Sequence, residues 1–168
     1  FPDDQVQILA YNRVVSTVGQ RGVSGLIEDL GGSFEVRASP VPVEPDAPGV
    51  FGLYVEGAWY RLEIRPELVP DDPVGRLDIN PLQTHCLEPL LGIADQRTDD
   101  RIDFVGGIRG LDELQRRVEN GDMLAAFSLY PTGLSDMFDV ADAGEVMPPK
   151  STWFEPKLRD GILVLPLD

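Results

Sequence analysis

Residues 142–154 read DAGEVMPPKSTWF and gather a lysine, two hydroxyls and two aromatics around a pair of prolines. An ammonium followed at once by hydroxyls is chemistry suited to phosphate. Lys150 supplies a point charge, and Ser151 and Thr152 supply hydrogen bonds. The stretch matches the phosphate-loop pattern G-x-x-x-x-G-K-[ST] at Gly144, Lys150 and Ser151, with Pro149 where the second glycine belongs. That exchange is decisive. A phosphate loop is a nest of backbone N–H groups, and Pro148 and Pro149 have none. Trp153, Phe154, Glu155 and Pro156 then predict an extended or turning segment, where a phosphate loop would feed a helix. What remains is a proline-held turn that reads equally as a structural turn or an anion site. Lys157 and Arg159 add positive charge nearby.

Further candidates lie upstream. Arg76 and Asp78 lead into a helical stretch carrying His85, the only histidine. Asp78 there reads as a helix cap, a functional carboxylate, or both. His85, with an ordinary pKa of about 6.5, is suited to general acid–base work. A lone helical histidine beside Cys86 is more often simply packed or at the surface. Asp103, next to Phe104, Val105, Gly106 and Gly107, is a strand-edge carboxylate where glycines admit a ligand or metal. The surrounding 97–103 run otherwise reads as a solvated loop of exchangeable ion pairs. Ser128 to Thr132 leaves an apolar strand, and strand ends are favoured ligand positions in α/β folds. Thr132 also fits as the cap of the next helix. Asp136, Asp139, Asp142 and Glu145 are crowded enough for a divalent cation but have no dedicated spacing, so they read as a solvated acidic face.

The whole chain, 168 residues, is long enough for one domain with a sizeable core. Its 29 acidic against 14 basic residues leave a net charge of -15, which repels nucleic acid and anionic membranes, so neither is expected as a partner. A nucleotide could bind only where basic residues converge or a divalent cation neutralises its phosphates. The single cysteine, Cys86, reads as a buried thiol and excludes an internal disulfide. With one histidine and one cysteine, no zinc, iron or haem site is expected. No apolar run reaches membrane-spanning length and no secretory signal is present, so a cytoplasmic location is the default. The opening on Phe1 suggests a processed product or sequence upstream.

The elements that must position these residues are legible in outline. Val6–Val15 reads as a strand, interrupted or continued around residues 11–13. Ser24 can cap a helix over Gly25–Leu30, and Phe34–Val36 forms a short strand. Pro40–Gly49, with four prolines, reads as an extended surface segment at 40–49. Residues 51–55 and 59–65 form a hairpin around Glu56, Gly57 and Ala58, the second arm alternating Tyr60, Leu62 and Ile64 with charges. The longest helix runs from Asp78 or Asn80 to Gly92, with Pro81 in its first turn. Then follow a short buried strand or tight loop at 103–107, an amphipathic helix over Leu111–Glu119, a strand over Met123–Tyr130, a helix after Thr132 and a closing strand over Ile162–Leu167. This order predicts an α/β (α+β) sandwich: a mixed β-sheet packed with helices in a single compact domain.

The blocks at 11–15, 76–79, 87–93, 101–107 and 141–158 together resemble the domain-of-unknown-function family 1015, in the expected order and over nearly the whole chain. The family includes an ADP-dependent kinase of free L-serine. The resemblance implies that residues 1–168 are the C-terminal domain of a larger kinase-like protein, missing its N-terminal portion and with it the base that activates the acceptor. It further implies ADP or ATP with magnesium, and a small hydroxylated substrate such as L-serine. Phosphoryl transfer needs charge-stabilising cations and a positioned acceptor. On this reading Arg13, Arg76, Lys150, Ser151 and Thr152 hold the nucleotide, Asp78, His85 and Lys150 are catalytic, and Asp78 and Asp103 hold magnesium. The alternative is a non-catalytic structural or dimerisation domain, with a homodimer as its product.

Overall fold

Half-buried strands and amphipathic helices must cover one another's apolar faces, and a central sheet does so here. A computed structural model describes residues 7–156. The strands are β1 (Gln7–Leu9), β2 (Tyr11–Val15), β3 (Phe34–Ser39), β4 (Val50–Val55), β5 (Ala58–Ile64), β6 (Ile102–Gly106), β7 (Ala125–Leu129) and β8 (Trp153–Glu155). Six of them make one sheet in the order β3-β5-β4-β7-β2-β6, while β1 and β8 form a separate pair. The helices are α1 (Gly22–Leu30), α2 (Ile79–Leu82), α3 (Gly110–Glu119) and α4 (Leu134–Asp142). The α+β class and the single domain are as the element order predicts.

The sheet is antiparallel at every pairing, where a mixed sheet was expected. Connection geometry explains the difference. β6 and β7, joined through α3, run in the same direction, but β2 lies between them and pairs antiparallel with both. The crossover that would make a parallel pair is split by a third strand.

Helices cover both faces. On one, Leu26 and Leu30 of α1 and Leu82 of α2 pack with Val15, Phe51, Leu53, Leu62 and Phe127. On the other, Leu114 of α3 packs with Val14, Tyr54, Val105 and Ala126. The long helix expected from residue 78 to 92 is cut short. Past Leu82 it widens into a π-helical turn, Gln83–Leu87, in which the Glu88 N–H donates to the Gln83 carbonyl at 3.0 Å. Cys86 lies wholly buried there, and desolvation pushes its thiol far up, as befits an inert core residue. The first strand is two, broken at Ala10, and α1 starts at Gly22, so Ser24 lies inside it. The hairpin turns through Glu56 and Gly57, both at positive φ. The strand expected over Ile162–Leu167, with Lys157 and Arg159, lies outside the described residues.

The proline-rich segment has no regular structure and is mostly exposed, but it is anchored on the sheet at two points. Val43 and Pro45 are buried against the sheet, and the Val43 carbonyl accepts a hydrogen bond from the buried Ser128 hydroxyl at 2.7 Å. Gly52 makes the contact fit. A Cβ there would lie 2.3 Å from Ser128 Oγ and 2.7 Å from the Val43 carbonyl oxygen. Gly52→Ala should therefore cost about 1–3 kcal/mol in urea unfolding, as overpacking does. The penalty should shrink when Ser128→Ala removes the nearest atom. Strict additivity of the two substitutions would show that the strap is not held in this contact.

Candidate functional site at one end of the sheet

Tyr11 opens β2 opposite Gly106, the last residue of β6, and Leu129 closes β7 opposite Phe51 near the start of β4. Glu63, near the end of β5, pairs with Val50. These termini fall at one end of the sheet, and the sequence-predicted residues Arg13, Asp78, Lys150 and Ser151 collect around it.

Arg13 is the most constrained of them, at 1% exposure. Its Nη2 donates to the Lys150 carbonyl at 2.9 Å, its Nη1 to the Tyr11 carbonyl, and its Nε to Gln96 Oε1 at 3.2 Å. Gln96 is itself fixed, because its Nε2 donates to Gln83 Oε1 at 2.8 Å, and Gln83 donates onward to the Ile93 carbonyl. The guanidinium carbon lies 5.4 Å from the Phe104 ring centroid and 6.0 Å from that of Tyr11. Lys150 Nζ sits 5.7 Å from each of the same two rings. Two cations thus lean on one aromatic pair. No carboxylate bonds to either among the described residues. Burial pulls the Arg13 guanidinium down to about 9, so it remains charged at neutral pH while stripped of water. Lys150 also holds φ at 60°, a left-handed conformation that a side chain adopts at a cost of about 1–2 kcal/mol.

The Gly106 and Gly107 pair, expected to admit a ligand, admits the protein itself. A Cβ on Gly106 would lie 2.7 Å from the Trp153 ring, and one on Gly107 would lie 2.9 Å from the Ala10 carbonyl. Trp153 meets Tyr11 edge-on at 5.3 Å, so the ring pair is walled on this side.

Beside this cluster opens a cleft of about 660 Å³, lined among others by Gly49, Arg76, Asp78, Tyr130, Thr132 and Asp136. Asp78 stands at the helix start but its side chain does not cap it. Its Oδ1 accepts the Gly49 N–H at 2.7 Å; its buried Oδ2 makes no hydrogen bond of good geometry among the described residues and feels only the Tyr130 backbone. Desolvation, with some help from Asp136, raises this carboxyl to about 7 against the backbone groups of Gly49 and Tyr130. Thr132 does not cap α4 either. Its hydroxyl donates to the Ser151 carbonyl at 3.0 Å, while the Gly133 N–H is satisfied by Asp136 Oδ2 at 2.9 Å. That bond ties the cleft to the 150–151 turn, where Ser151 is buried. Arg76 is engaged by Asp139. Tyr130 and Pro131 also wall a second cleft, of about 530 Å³, towards the α3 face.

Other predicted residues fall elsewhere. His85 sits half-buried in the π-helical turn and lines neither cleft. Asp103 is exposed and accepts from Arg117 Nη2 at 3.0 Å, apart from Asp78. Thr152 is half-buried without a polar contact among the described residues. No group of three or more potential metal ligands forms among the described residues. Sequence reasoning missed Gln83 and Gln96 and marked Tyr130 only as part of the 128–132 strand end. The one signal for Tyr11 was its place two residues before Arg13 on a strand, which puts both on one face.

The raised Asp78 carboxyl carries a sign. Folded Asp78 holds its proton to about pH 7, whereas an unfolded aspartate releases it at about 3.9. The native state therefore binds more protons across that window, and this residue's contribution to stability falls as pH rises from about 4 to 7. Asp78→Asn keeps an acceptor for Gly49 and cannot ionise. Urea unfolding should show the variant gaining on wild type with rising pH, up to a plateau above about pH 7. A stability difference identical at pH 5 and pH 8 would refute the assignment.

Residues 1–80 match the family model described as a protein of unknown function, DUF1015. No curated protein matches the sequence. Among solved structures, a free serine kinase variant in complex with AMP shares the fold with a TM-score of 0.54 at 14% identity, over 91% of this chain and 55% of that one. A variant in complex with ADP gives 0.51 at 15% identity, again over 91% and 55%. A conserved hypothetical protein from Pyrococcus furiosus gives 0.52 at 16% identity, over 91% and 57%. The likeness at such identities is one of fold, and the chain spans little more than half the length of these structures. The DUF1015 model thus matches residues 1–80, in line with the resemblance read from the sequence blocks, and the chain shares the fold of the free serine kinase structures.

Proposed function

We propose that this chain furnishes the phosphate-holding and proton-handling surface of a nucleotide-dependent phosphotransferase acting on a small hydroxyl compound. One observation carries the reading. In a protein of net charge -15, Arg13 and Lys150 converge on one aromatic pair, and no carboxylate compensates them among the described residues. Three hydrogen bonds to neutral groups and cation–π contacts of about 0.5–2 kcal/mol hold the buried Arg13 guanidinium without neutralising it. Lys150 beside it is exposed, so a bound phosphate would meet Lys150 directly and the Arg13 charge from behind the rings. Lys150 deepens the argument, since a left-handed position natural to glycine is given to a cation.

Asp78 supplies the second half. A carboxyl near pKa 7 on a residue that lines the cleft is matched to accepting a proton at neutral pH. The acceptor hydroxyl oxygen attacks the terminal phosphorus, the bond from phosphorus to the bridging oxygen breaks, and the hydroxyl proton passes to Asp78, in place of the upstream base that the sequence resemblance implies. Magnesium would arrive on the nucleotide's phosphates, which leaves Asp78 to the proton. The AMP and ADP complexes of the serine kinase neighbours support a nucleotide donor and make L-serine the first acceptor to assay. Because the chain spans 55% of those structures, the rest of the reaction is not assigned to it.

Lys150→Gly separates function from structure. It relieves the backbone strain and leaves the carbonyl that Arg13 uses, so stability should hold or rise. Calorimetric titration with ADP and magnesium should then show affinity falling about 10- to 100-fold, the loss of one charge-assisted contact. Unchanged affinity would remove Lys150 from the phosphate site.

A further inference from the structure

Strands β2 and β7 remain paired from Val15 opposite Ala125 to Arg13 opposite Phe127, and then part. Asn12 stands at the fork, 3% exposed, and its Oδ1 accepts the Leu129 N–H at 3.0 Å in place of a strand partner. That bond fixes the amide: oxygen faces β7, so the NH2 group faces away from it. No acceptor among the described residues takes Nδ2, and Asn12 lines the second cleft. A donor held in one orientation at the wall of a cleft favours a ligand with an acceptor on its edge.

The remaining walls narrow the class. Leu9, Leu111 and Pro131 are apolar, and Gly107 and Gly110 bring bare backbone to the surface of the cleft. Neither lysine nor arginine lines it, while Glu44 stands on its rim without a cationic partner among the described residues. A phosphate is thus repelled, and an exocyclic amine is welcomed by the carboxylate. The volume of about 530 Å³ is ample for a small planar molecule. We propose that this cleft seats an uncharged aminopurine-type base, with its ring nitrogen on Asn12 Nδ2 and its amino group towards Glu44. The choice of a nucleotide base rests on the phosphotransferase reading, in which the cations Arg13 and Lys150 hold the phosphates at the same end of the sheet.

The test uses adenosine, which has a base and no phosphate, and inorganic pyrophosphate, which has the reverse. In two-dimensional NMR of the labelled chain, adenosine should shift the Asn12 side-chain amide and the backbone amides of Gly107 and Gly110. Asn12→Asp keeps the oxygen that Leu129 uses and removes the donor. Leu111→Trp fills the cleft without touching Asn12. Each should weaken adenosine about tenfold or more while leaving pyrophosphate binding unchanged. Adenosine shifts confined to Gly49 and Thr132, or no shifts at all, would overturn the proposal, as would unaltered adenosine affinity in both variants. Pyrophosphate shifts at Lys150 without an adenosine response would sink the base site alone and leave the phosphate reading standing. An adenosine response without a pyrophosphate response would do the opposite.

Discussion

A buried guanidinium without a carboxylate is the constraint around which this end of the molecule is built. Arg13 sits mid-strand in β2, where its neighbours Val14 and Val15 belong to the two cores. The strand cannot move to let the charge reach water without exposing both. The surroundings answer with weaker contacts: two carbonyls, one glutamine and two ring faces. The Lys150 carbonyl is one of the two, so the proline-held turn is located by the arginine it would serve beside. The Gln83–Gln96 relay extends the same requirement into the π-helical turn. A helix that widened there to place Gln83 would have reason to give up regular hydrogen bonding.

Antiparallel topology decides where the chemistry can gather. A doubly wound parallel sheet offers ligands the carboxyl ends of its strands. Here alternate strands run in opposite directions, and one end of the sheet collects the starts of β2 and β4 with the finishes of β5, β6 and β7. Residues remote in sequence meet because strand ends of both polarities meet. Arg13 and Lys150 are joined by a direct hydrogen bond, and Asp78 bonds Gly49 beside the first residue of β4.

Local chemistry was legible wherever one segment's own pattern settled it. The Glu56–Gly57 hairpin, the amphipathic α3 with Leu114 inward, and the buried thiol of Cys86 follow from periodicity, turn residues and composition. Partners remote in sequence were not legible. Nothing in residues 40–49 announces that Val43 would accept from Ser128, because the cue is a missing Cβ at Gly52 on a different strand. Asp103 looked available beside two glycines, but its side chain alternates towards α3 and meets Arg117. The glycines themselves were read for the right property, close approach, with the wrong visitor: Trp153 and Ala10 come from the two ends of the described chain. His85 had chemistry in its type alone, and the turn that carries it leads to neither cleft.

Two cap positions show how structural and functional readings of one residue can be told apart. Asp78 and Thr132 both precede helices and both are of cap-forming type, so capping is the economical expectation. Neither side chain caps. The first turn of α4 is served by Asp136, which reaches back to the Gly133 N–H, and this releases the Thr132 hydroxyl to hold the Ser151 carbonyl. Asp78 already has helical backbone angles, and its carboxylate reaches Gly49 on another segment and leaves one buried oxygen unmet. Stability alone would favour the opposite arrangement, since a cap is worth about 1 kcal/mol and an unpaired buried oxygen costs about 1–3 kcal/mol. A fold that gives up the former and bears the latter at the edge of a cleft has the arrangement that the proposed phosphotransferase site would require.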